Sequence, residues 1–201
     1  MATVMDRTIR DKVDEALGDA PQTMKTALEN ILTELERSPR DSGAENTSAG
    51  RIGQRSGVVS ELTVIMPLKP GGAERMRKIL KLVHGDFRGA DKIGTLHNMR
   101  FIFIDNDTKL LFATAYDGDW DAYIEDFATK IPDEMDLIFG YVDGWAGIRN
   151  VQASKDLIAA HQLPADGWYV ATPNLSVAET RRLERTGKAL EEFLDKIAEP
   201  V

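Results

Sequence analysis

The sequence predicts an α+β protein, an antiparallel sheet with helices on one face and more helices at both ends. Three observations predict it. Apolar residues recur at spacings of three and four near both termini, the period of an amphipathic helix. Between residues 58 and 116 there are long β-branched and aromatic runs, two of them separated only by "NDT". Helix-period stretches alternate with those runs, and Gly, Pro, Asn and Asp punctuate the junctions.

At the N-terminus, Met5, Ile9, Val13 and Leu17 stand four apart, and Gly18 is a natural helix stop. Pro21 suits the first turn of a second helix, whose stripe is Met24, Leu28, Ile31, Leu32 and Leu35. Residues 1–37 therefore read as a helical hairpin. Residues 38–57, "SPRDSGAENTSAGRIGQRSG", are nearly free of large apolar groups and read as a flexible linker.

A domain over 58–150 follows. "VVSELTVIMPLKP" is apolar on both faces, as a central strand is, and Pro67 and Pro70 close it. "GGAERMRKILKLVHG" puts Met76, Ile79, Leu80 and Val83 on one helical face. "GTLHNMRFIFID" and "KLLFATAY" form a hairpin, because Asn and Asp tolerate the backbone of the turn between them. "DWDAYIEDFATKI" is a helix with Tyr123, Ile124 and Phe127 inward, and "MDLIFGYV" reads as a fourth strand. The order β-α-β-β-α-β is that of the split βαβ, or ferredoxin-like, sandwich. Residues 151–201 read as an extension packing on that domain. It comprises a short helix near 153–161, a strand in "GWYVATPNL" and a last helix. Ser176 and Glu179 form a capping box for the last helix, and Leu183, Leu190, Phe193, Leu194 and Ile197 give it an apolar stripe.

Composition narrows the function. The chain has 201 residues, a net charge of -8 and no cysteine. An acidic surface argues against nucleic acid, which needs a basic face, and against anionic membranes. No apolar run approaches the roughly 20 residues that span a bilayer. Lack of cysteine excludes disulfides, thiolate metal sites and a cysteine nucleophile, and fits a cytoplasmic location. The histidines, His84, His97 and His161, fall on different elements without metal-ligand spacing. No metal site is expected.

The polar residues that a sandwich does not obviously need are the site candidates. In "YDGDWDAY", Asp119 is placed to cap the helix that follows, accepting from an orphan N–H at the positive dipole end. One cap suffices, so Asp117 stays open between a corner and a proton-moving group. A calcium loop starting at Asp117 would need Gly and Glu where the chain has Ala122 and Ala128. In "HNMRF", strand alternation puts His97 with Met99, Phe101 and Phe103 on the core side unless a bulge intervenes. Asn98 and Arg100 then fall on the open face. Arg100 either holds an anionic ligand or pairs with Asp117 or a partner subunit. Trp145, in "YVDGWAG", either lines a pocket or packs at a strand-ending turn. Trp168 and Tyr169 read as core.

"LTVIMPLKPGGAERMRKIL", "GTLHNMRFIFID" and "LLFATAYDGDWDAYIEDF" resemble the dimeric α/β-barrel group of ferredoxin-like domains, over about residues 60–147. They are nearest to poorly characterised bacterial domains distantly related to dye-decolourising peroxidases and chlorite dismutases. The resemblance implies a homodimer or higher oligomer closed sheet to sheet, and makes haem a candidate cofactor. Asp117-Gly118 matches the Asp-Gly pair of the peroxidases. Arg100 has the type of their Arg but precedes the Asp, and their proximal His has no counterpart. The reading is a cytoplasmic, homo-oligomeric protein that binds a small molecule or haem, with an oxidoreductase as the enzyme class to test. Arg100 would orient the ligand, Asp117 would move protons, and His97 would be acid, base or ligand. Asn98, Asp119, Tyr123 and Trp145 would line the pocket. The alternative is a non-enzymatic assembly module using the N- and C-terminal helices. The residues leave open whether the protein is an enzyme.

Overall fold

A computed structural model describes residues 8–37 and 46–198. The chain divides into two compact units, Met1–Gly43 and Ala44–Val201.

The first unit contains α1 (Ile9–Leu17) and α2 (Gln22–Arg37), packed against each other. Thr8 caps α1, with its side chain accepting from the Asp11 N–H. Gly18, at φ +46°, ends the helix in a conformation that L side chains rarely adopt. Lys25 bonds Asp14 at 3.0 Å and so ties the two helices. Met5 lies outside the described residues, as do residues 38–45.

In the second unit a five-stranded antiparallel sheet is ordered β1-β2-β3-β5-β4. The strands are β1 (Asn46–Ser48), β2 (Gln54–Ser56), β3 (Val59–Pro67), β4 (Leu96–Ile104) and β5 (Lys109–Asp117). Helix α3 (Gly72–Leu82) and a 3-10 turn (Arg88–Ile93) connect β3 to β4. After β5 come α4 (Trp120–Lys130), α5 (Pro132–Phe139), α6 (Val151–His161) and α7 (Val177–Ala198). The core lies on one face of the sheet. Leu62, Val64 and Met66 of β3, with Leu110, Phe112 and Tyr116 of β5, pack under Tyr123, Ile124 and Phe127 of α4. Those strand positions alternate, so one pleat face supplies the core.

Four sequence expectations are corrected. Residues 46–56, placed in a linker, contain the β1–β2 hairpin, and β2 pairs with β3 through Arg55↔Ser60 and Ser56↔Val59. Their polar composition hid the strands because both are short and have little to bury, β1 being an exposed edge strand and β2 only half-buried. "MDLIFGYV" is not a strand, for most of it belongs to α5. Pro132 sits in the first turn, Asp133 and Glu134 meet the positive dipole end, and Met135, Ile138 and Phe139 follow helical spacing. The β3 edge that a fourth strand would fill is instead completed in pieces. Beyond β2, Leu163 N–H donates to Thr63 and Asp143 N–H donates to Pro67. "GWYVATPNL" forms no strand, and Tyr169 is 85% exposed rather than core, while Trp168 is half-buried. Pro173 lies inside the segment and removes a ladder donor. Last, α7 does not pack on the domain along its stripe, since Val177 is its buried residue.

The bulge anticipated as the exception is present in β4. The register shifts between Leu96 and Asn98, so His97 is the extra residue. Leu96 thereby joins Met99, Phe101 and Phe103 against the core, and His97 leaves that face. The opposite sheet face mixes apolar Ile65, Ile102 and Leu111 with polar groups. It carries exposed Asn98 and Arg100, half-buried Thr63, and buried Glu61.

Candidate functional site

The corner where β5 ends gathers several of the expected site residues. Asp117 Oδ1 lies 2.7 Å from His97 Nε2, which the bulge has turned toward it. Asp117 Oδ2 accepts the Val177 N–H at 2.8 Å. The carboxylate therefore clamps the β4 bulge to the first turn of α7, at the positive end of that helix. Ser176 and Glu179 complete the N-terminus. The Glu179 carboxylate accepts from the Ser176 N–H and hydroxyl, and these bonds hold it below its ordinary range. The second acid of "DGD" serves a separate helix: Asp119 Oδ1 accepts the Asp121 N–H at 2.9 Å as the cap of α4. Gly118, at φ +89°, makes the turn between them.

The remaining expected residues do not converge there. Arg100 stands opposite Ala113 on the open sheet face, exposed, with no ion-pair or hydrogen-bond partner among the described residues. Asn98 shares that face. Tyr123 is buried in the core, its ring stacked 3.8 Å from Tyr116 and its hydroxyl 2.7 Å from Thr114 Oγ1. Burial pushes its phenol well above the ordinary value. Trp145 donates through Nε1 to Asp136 at 3.0 Å and packs on Phe139, which closes the turn after α5.

A cavity of about 130 Å³ opens between the 3-10 turn, β4 and α5. Phe87, Met99, Met135 and Ile138 line it, with Asp86 and Glu134 also in its wall. Ligand pockets usually measure about 300–1,000 Å³, so this one is too small for a porphyrin. His97, whose Nε2 is taken by Asp117, is not in its wall. The residues present here do not fit haem. Among the described residues no group of three or more His, Cys, Asp or Glu is arranged to hold a metal ion.

Two features escaped sequence reading. Lys155 of α6 is buried and reaches Asp121 at 2.8 Å and Glu125 at 2.7 Å, both on α4. Burial alone would lower its pKa, but bonds to the two acids outweigh it and the net shift is upward. Bonds from Lys155 and then Arg51 draw the Asp121 carboxyl below its ordinary range. The spacing of Asp121 and Glu125, one helical turn apart, was the available signal. The second is the degree to which α7 stands unsupported. Leu190, Phe193 and Ile197 are 55%, 61% and 64% exposed, and Leu183 and Leu194 are also open. Arg181, on the opposite side of the helix, pairs with Asp91 at 2.8 Å and fixes which side faces the domain.

No family model matches this chain, and neither a curated protein nor a solved structure does. Fold and geometry together define an α+β protein with a five-stranded antiparallel sheet. No helix among the described residues is long and apolar enough to cross a membrane.

Proposed function

We propose that this protein is an assembly module that acts by presenting α7 to a partner. One observation carries the reading. A 22-residue helix is held to its own domain at its first turns and leaves its whole apolar stripe in water. Helices draw most of their stability from packing an amphipathic face, and a contiguous exposed apolar patch normally marks an interface. The polar residues at the β5 corner support the same reading, because His97 and Asp117 are engaged in anchoring α7. The lack of cysteine supports a cytoplasmic setting.

A second reading has one observation in its favour. The cavity beside Met99 lies between sheet and helices, where a ferredoxin-like ligand-binding protein would keep its ligand. The neighbour order β3-β5-β4 supports that ancestry, since the split βαβ sets its third strand between its first and second. On this reading a small apolar molecule occupies the cavity, and any oxidoreductase chemistry acts on it there.

Native mass spectrometry of the protein purified from its own host separates the two. The assembly reading expects wild-type chain in a complex, and Leu190→Glu/Phe193→Glu chain as free monomer. Wild-type chain that is monomeric and carries only a small molecule would remove it.

A further inference from the structure

Resting on the second, ligand-binding reading, we infer that the cavity beside Met99 holds a neutral single-ring molecule that donates one hydrogen bond to Glu134. Size sets the first bound. The cavity measures about 130 Å³. An apolar cavity of about 150 Å³ lined by Leu, Ile and Phe stays dry and takes benzene, so one ring fits here and two fused rings do not. Ile131, Met135 and Ile138 supply a buried apolar wall. Phe87 and Met99 extend it, and the unbranched thioethers of the two methionines adapt to the shape of a ring.

The polar part of the wall sets the chemistry. Asp86 is already engaged, for its carboxylate accepts from the Arg88 N–H at 2.9 Å and from Arg88 Nε at 2.7 Å. Glu134 is not. Lys92 Nζ stands 3.7 Å from Glu134 Oε1, an ion pair beyond hydrogen-bond reach. Among the described residues nothing donates to this carboxylate. Gly89 accounts for its position. A Cβ there would stand 2.8 Å from Glu134 Oε1, so the bare backbone of the 3-10 turn lets the carboxylate lie against it.

Each acid in the wall has a cationic neighbour, Arg88 or Lys92. A charged ligand would leave water and find no unmatched counter-charge, which costs more than burying a neutral donor that gains a bond. An acceptor without a donor, beside an apolar cavity of one-ring size, therefore selects a neutral ring of the phenol type.

Phenol and benzene are the probes, titrated into the full chain with isotope-labelled methionine methyls. Both should shift the Met99 and Met135 signals saturably and leave that of Met24, in α2, where it is. Phenol should bind about fivefold more tightly, the worth of one partly exposed hydrogen bond, and benzoate and naphthol should not bind. Glu134→Leu should bring phenol and benzene level, and Ala90→Leu, which fills the cavity, should abolish both, each without changing far-ultraviolet dichroism. Equal binding of the two probes by wild-type chain, or a preference for phenol that outlasts Glu134→Leu, overturns the inference and leaves the ligand-binding reading in place. Saturable binding of benzoate or naphthol does the same. Methyl signals that neither probe moves, up to its solubility limit, overturn both.

Discussion

Replacing Asp117 by Ala is expected to loosen the corner where β4, β5 and α7 meet. The carboxylate makes two bonds, to His97 Nε2 at 2.7 Å and from the Val177 N–H at 2.8 Å. Loss of a helix-terminus acceptor costs about 1 kcal/mol. The bond to His97 joins two side chains partly open to solvent, at 23% and 13%, so about 1 kcal/mol is assigned to it as well. The sum is about 2 kcal/mol. With a urea slope of about 2 kcal/mol per molar, the unfolding midpoint of the Ala44–Val201 unit should fall by about 1 M. Amide exchange should accelerate at Val177, whose N–H loses its acceptor, and through the first turn to Thr180 as the helix start loosens. His97→Ala removes one of the two bonds and should cost about half as much. Asp117→Asn keeps one acceptor oxygen, enough for the Val177 N–H, and should fall between wild type and Asp117→Ala. An unchanged midpoint together with unchanged exchange at Val177–Thr180 would refute the clamp.

Phe127 is fully buried and meets the Tyr123 ring edge-on at 4.6 Å. Phe127→Ala should cost about 3–5 kcal/mol in a urea titration, and a cost below about 1 kcal/mol would place the core elsewhere. The Lys155–Asp121 pair implies a pH window. Asp121 is depressed from 3.8, so its contribution is present above that value and lost as pH falls through the lower folded one. Lys155 is raised from 10.5, so its contribution is complete below that value and lost as pH rises through the higher folded one. Lys155→Met should therefore flatten the dependence of the urea midpoint on pH at both the acid and the alkaline end. Wild-type and variant curves that run parallel at both ends would show that the pair does not contribute.

Much of this protein is legible from residue order because the signals are local. Apolar spacing marked α2, α4 and α7, the β4–β5 turn needed only Asn and Asp in left-handed backbone, and Asp119 stood where a cap belongs. The tight backbone of Asp105, Asn106 and Asp107, at φ between +51° and +66°, bears out that turn chemistry. The β4 face assignment depended on whether a bulge was present, which alternation cannot tell. The absence of a fourth strand came from a competition in which Pro132, two acids and helical spacing outweighed β-branched content.

What the sequence by itself determined is which segments have a face to bury and which helix ends are capped. Those depend on neighbours a few residues apart. Only tertiary structure decided what each face meets. Val177 is buried and Leu190 is not because the Asp117 clamp and the Arg181–Asp91 pair hold the start of α7 against the domain, and no described residue covers the rest of its stripe. Residues 60 positions apart set that boundary, and an apolar stripe reads the same whether its own chain or another will cover it.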